Sequence, residues 1–106
     1  MIAETACLAT ECVEDEKPIF VLSHYEQQMR ILELTVQLLI VRTSAGQYWS
    51  EGLKDAGELL TMLPIQSAEF ECIYRHLENA IGYCQMQEFG AAAFELRVVR
   101  GGLQRL

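Results

Sequence analysis

The sequence predicts an all-α fold, a compact bundle of about four helices preceded by a loose acidic arm. Apolar residues recur at alternating three- and four-residue spacing through most of residues 25–103, the period of an amphipathic helix. Breaker residues cut this pattern at Ser44-Ala45-Gly46 and at Pro64, which sets the helix count. A chain of 106 residues, half of them apolar, is one domain with one core. The boundaries expected are a flexible arm over 1–17 and a single helical domain over 18–106.

The arm has few apolar residues and ends in Glu14-Asp15-Glu16 ahead of Lys17-Pro18. Ile19-Phe20-Val21-Leu22 follows, either a hydrophobic lead-in to the first helix or a short strand. Ser23-His24-Tyr25-Glu26 then forms a capping box, because Ser at the cap and Glu three residues on can satisfy each other's backbone N–H groups. The first helix is expected over about 24–43.

That first helix carries the most informative pattern in the chain. Tyr25, Met29, Leu32, Val36 and Leu39 form one apolar stripe. Ile31, Leu34, Leu38 and Val41 form a second. At about 100° per residue the two stripes lie roughly 180° apart. A helix at the edge of a small domain buries one face, so the second stripe is covered either inside the monomer or by another chain. Burying such side chains is worth roughly 1.5–3 kcal/mol each, so four left in water forfeit on the order of 6–12 kcal/mol, the scale of a small domain's whole stability. A two-fold homodimer is the favoured covering.

A second helix is expected over about 47–63, with Trp49, Leu53, Ala56, Leu60 and Leu63 on one stripe. The competing reading is α+β, with a strand at 19–22 and a hairpin near residue 46. The long helical periodicity on both sides opposes it. After Pro64, Ser67 is the expected cap of a third helix running to about 87, with Glu69 and Glu71 in its first turn, where the helix dipole favours acids. Phe89, Ala92, Leu96, Val99 and Leu103 define a fourth, with Gly101-Gly102 as its expected stop.

Charge and motif content narrow the function. Fifteen acids against eight bases give a net charge of −7, which opposes direct nucleic-acid binding, since phosphate contacts supply most of that affinity. The small basic group Arg97, Arg100 and Arg105 reads as complementing a helix C-terminus. No apolar run approaches the roughly 20 residues of a membrane span. The N-terminus carries Glu4 and no early base, unlike a signal peptide. Cys7, Cys12, Cys72 and Cys84 include no CxxC pair. Together these point to reduced thiols and a cytoplasmic protein.

Cys72 and His76, four apart on a helix, are the weak candidates for a metal site. Zinc needs four ligands, and only Cys7 and Cys12 remain to complete the set, so no metal or other cofactor is expected. The same pair lacks the orienting group and oxyanion donor of a Cys–His nucleophile. With no phosphate loop and no triad, the chain reads as non-catalytic. Tyr48-Trp49 reads first as core and second as an interface anchor.

The function expected is a protein-binding module, a small acidic regulator or inhibitor working through an apolar helical surface. Its interface residues are Ile31, Leu34, Leu38 and Val41 with Tyr48 and Trp49. The partners expected are another protein and a second copy of the chain, with neither nucleic acid nor membrane. The alternatives are a metal or small-molecule site using Cys72 and His76, and a structural subunit or secretion-type chaperone. In size, charge and helicity the chain is similar to small acidic helical antiactivators and secretion chaperones of bacteria. No motif carries that likeness, and no residue role follows from it.

Overall fold

The computed structural model describes residues 23–106. It is an all-α bundle of four helices: α1 His24–Ser44, α2 Ser50–Thr61, α3 Ser67–Gln85 and α4 Phe89–Gln104. The acidic arm and the strand considered at 19–22 lie outside the described residues. The hairpin considered near residue 46 is a helix-ending turn.

Each helix packs against its neighbours in the chain, and α4 closes the ring against α1. The expected stripes form the core. Leu32, Val36 and Leu39 of α1 meet Leu53, Ala56 and Leu60 of α2, Ile73, Leu77 and Cys84 of α3, and Ala92, Leu96 and Val99 of α4. The thiol of Cys84 is buried and hydrogen-bonded to Thr43. Burial pushes its pKa up and the Thr43 bond partly opposes the rise, because a thiolate loses hydration in an apolar setting.

The ends of α1 follow local chemistry. At its start, Glu26 N–H donates to Ser23 Oγ and Ser23 N–H to Glu26 Oε1, both at 3.1 Å. This is the capping box in full. At its end, Gly46 takes φ +80°. Its N–H donates to the Thr43 carbonyl at 2.9 Å and the Gln47 N–H to the Arg42 carbonyl at 3.0 Å. That Schellman pattern needs a left-handed residue, which glycine supplies without steric cost. The α3–α4 turn repeats it with Gln87, a non-glycine residue at φ 61°. Here Gln87 N–H donates to the Cys84 carbonyl and Glu88 N–H to the Tyr83 carbonyl.

Three expected boundaries are corrected. The second helix starts at Ser50 and ends at Thr61, inside the expected 47–63. Its cap is Trp49, whose ring lies where a Cβ on Gly52 would stand, 2.3 Å from Trp49 Cε3. Ser67 is the first helical residue of α3 rather than its cap. The cap is Gln66, in extended conformation and with no side-chain bond to the helix. Gly101-Gly102 does not stop α4, which continues to Gln104. Gly102 is buried in the last turn, where a Cβ would come 2.9 Å from Ile73 Cγ1. The glycine therefore serves the close approach of α4 to α3, a need that overrides its usual place after a helix end.

Candidate protein-binding surface

One stripe of α1 is turned into the core and the other is turned out. Val36 and Leu39 are fully buried, whereas Ile31 is 52%, Leu34 65%, Leu38 41% and Val41 56% exposed. No helix of the described residues covers the outer stripe. Its polar neighbours on the helix surface are Arg30, Thr35, Gln37, Arg42 and Ser44. Of the two carboxylates of α1, Glu33 falls away from it at 100° per residue, and Glu26 stands at the angle of Ser44 but beyond the N-terminal end of the stripe.

Several bonds fix this face. Arg100 Nη1 donates to Gln37 Oε1 at 2.8 Å and ties α4 to one flank of α1. Thr35 Oγ1 donates to the Ile31 carbonyl at 2.8 Å, one turn back along the helix. Arg42 stands over the Trp49 ring, its Cζ 4.3 Å from the ring centroid, a cation–π contact that joins the end of α1 to the start of α2. Trp49 is half-buried against the core, and Tyr48 beside it is 44% exposed. The expected pair thus divides: Trp49 is chiefly a core residue and Tyr48 a surface one.

The outer stripe continues into a groove of about 290 Å³ between α1 and α2, where Ile31 and Thr35 face Leu59 and Met62 below Asp55 and Glu58. Met62 is 57% exposed. Leu59 and Met62 were not legible as members of this surface, because they sit on α2 and just beyond its end and join it only through the α1–α2 packing. A second cavity of about 370 Å³ lies between α2 and α3. Leu53, Tyr74, Leu77 and Ile81 form its apolar wall, with Tyr48, Lys54, Glu58 and Glu78 around it.

Cys72 and His76 do not converge on a metal position. Cys72 is exposed, and His76 Nδ1 lies 2.6 Å from Glu95 Oε1 of α4. Asn79 Nδ2 donates to the same oxygen at 3.4 Å. His76 thus clasps α3 to α4, through a partner 19 positions away that no local spacing marks. Cys7 and Cys12 lie outside the described residues. Among the described residues no three His, Cys, Asp or Glu side chains group around a metal position, and no helix is long and apolar enough to cross a membrane.

Comparison with protein-family models, with curated proteins and with solved structures finds no match to this chain.

Proposed function

We propose that this chain is a non-catalytic protein-binding module, a small acidic regulator or inhibitor whose working surface is the outer stripe of α1. The observation that carries this reading is the exposure of Ile31, Leu34, Leu38 and Val41 on a helix whose other face buries Leu32, Val36 and Leu39 in the core. Scattered exposed apolar residues are ordinary on any protein. Four in register on one helix, running on to Leu59 and Met62, make a contiguous patch of the kind that marks an interaction site. With roughly half of each side chain still in water, covering the stripe is worth on the order of 3–6 kcal/mol. A helix laid along it is the natural mode, anchored every third or fourth residue. The free thiols of Cys72 and Cys84 support a reducing, cytoplasmic setting.

The test is affinity capture from native lysate with two baits, the native chain and Leu38→Glu. A protein retained near stoichiometry by the first and lost by the second supports the reading. A bait that retains no protein of another sequence contradicts the regulator role.

A second reading, a small-molecule site inside the bundle, draws support from the α2–α3 cavity rather than from Cys72 and His76. Its volume of about 370 Å³ falls within the range of ligand pockets, and it has an apolar wall and few polar groups. A compound that raises the melting temperature of the native chain but not of Gly57→Leu, which fills the cavity beside Leu77 and Tyr74, would establish it.

A further inference from the structure

We propose that the occupant of the outer stripe is a second copy of this chain, its α1 laid antiparallel across the first about a two-fold axis beside Val36. This names the partner of the surface identified above and rests on that surface being a protein-binding one.

The register of the stripe is its first support. Ile31, Leu34, Leu38 and Val41 are spaced 3-4-3, the alternation of a two-stranded helical seam. The spacing is also a palindrome. Turned end over end, Ile31 meets Val41 of the second copy and Leu34 meets Leu38, so every apolar side chain has an apolar mate and none overhangs. A two-fold contact requires a self-complementary surface of this kind.

Charge is the second. The chain carries −7 overall, so two copies repel each other across most approaches. Along this seam the accessible flanking residues are Thr35 and Arg42 on one side and Arg30, Gln37 and Ser44 on the other, Gln28 being buried within the monomer. In the antiparallel register Arg30 faces Ser44, and Thr35 and Gln37 each face themselves. The flanking positions of α1 itself carry no carboxylate; the acids nearest the seam are Asp55 and Glu58 of α2, beside Ile31 and Thr35, and Arg100 of α4 is held at Gln37.

Area is the third. From exposures of 41–65%, the four side chains leave on the order of 400 Å² per copy for burial, or roughly 800 Å² for the pair. The flanking side chains and Met62 carry the contact past the ~1,000 Å² expected of a specific interface.

Sedimentation equilibrium of the full chain, native and Leu38→Glu, gives the stoichiometry, with helical circular dichroism as the check on folding. Thiol cross-linking gives the register. Arg30→Cys and Ser44→Cys chains are oxidised separately and mixed, with the native chain as the thiol baseline. The expected result is a two-chain mass, association weakened by about a hundredfold or more in Leu38→Glu at unchanged helicity, and a cross-link above baseline in the mixture only. Like positions at 30 lie roughly 21 Å apart in this register. Should Leu38→Glu unfold, Leu34→Glu, at the most exposed position of the stripe, serves in its place.

A dimer indifferent to both substitutions, or one cross-linked through 30 to 30, overturns the proposal. So does a single-chain mass at all concentrations, which assigns the stripe to residues 1–22 or to a different protein. The two readings fail separately. A monomer that still captures a Leu38-dependent protein removes only the second copy. A Leu38-dependent dimer that captures nothing else removes only the regulator role.

Discussion

Gln87 holds a conformation that costs an L-residue roughly 1–2 kcal/mol, because the Schellman turn into α4 requires it. Gln87→Gly should therefore stabilise the fold by about 0.5–1 kcal/mol after the entropy of the glycine is offset, seen as a melting temperature a few degrees higher. An unchanged or lower midpoint would show the strain to be absent. The two described cysteines make a second pair of opposites. Cys72 is exposed and Cys84 is buried with its pKa raised, and reactivity follows the thiolate. Iodoacetamide on the folded chain should modify Cys72 readily and Cys84 only on unfolding, as read by peptide mapping. The same shift sets a sign for stability. The buried thiol stays neutral while its unfolded counterpart ionises above its ordinary value of about 9, so Cys84 favours folding fully below that pH and progressively less above it. Neither residue role was legible from sequence. Gln87 has no glycine to announce the turn, and the Thr43 partner of Cys84 is 41 positions distant.

At the scale of the element, the apolar periods were sufficient to place all four helices, because each buries a stripe and the stripe has to repeat with the helical turn. The ends were less legible where a tertiary contact overrode local preference. Gly102 reads as a stop, yet it lies within α4 because Ile73 stands where its side chain would be. Gly52 similarly reads as a weak point of α2, yet it makes room for the ring of Trp49, the residue that precedes the helix. Gly52→Ala should displace that ring even though alanine is the better helix former by about 1 kcal/mol. Trp49 is the chain's single tryptophan, so its fluorescence reads the displacement directly, and a red shift with loss of the Arg42 contact is expected. Emission identical to the native chain would mean that the ring is not seated there. The His76–Glu95 clasp belongs to the same scale. The spacing of Cys72 and His76 suggested a shared ligand, but the helix–helix approach gave His76 to α4 instead.

For the whole molecule, the doubled stripe on α1 was visible in the sequence, and which of its two coverings applies was not. Four helices are enough to surround a central one. Here they form a ring in which α1 is a wall, so its second stripe faces outward. The groove that extends the stripe onto Leu59 and Met62 comes from that ring and from the shortness of α2, neither of which is a property of any local segment. Leu38 and Leu39 set surface against core in consecutive positions: Leu38 is central to the stripe and exposed, and Leu39 is fully buried. Leu38→Glu should leave thermal stability within about 1 kcal/mol of native if measured on the isolated chain, while Leu39→Glu should unfold it.

The most direct measurement is a paired capture with tagged native and tagged Leu38→Glu chains, each co-expressed with an untagged native copy in the original host, with helicity verified for both. Retention of a stoichiometric protein by the native bait alone, whether the untagged copy or another chain, is the predicted result. Equal recovery by both baits, or none by either, would contradict a binding role for the outer face of α1.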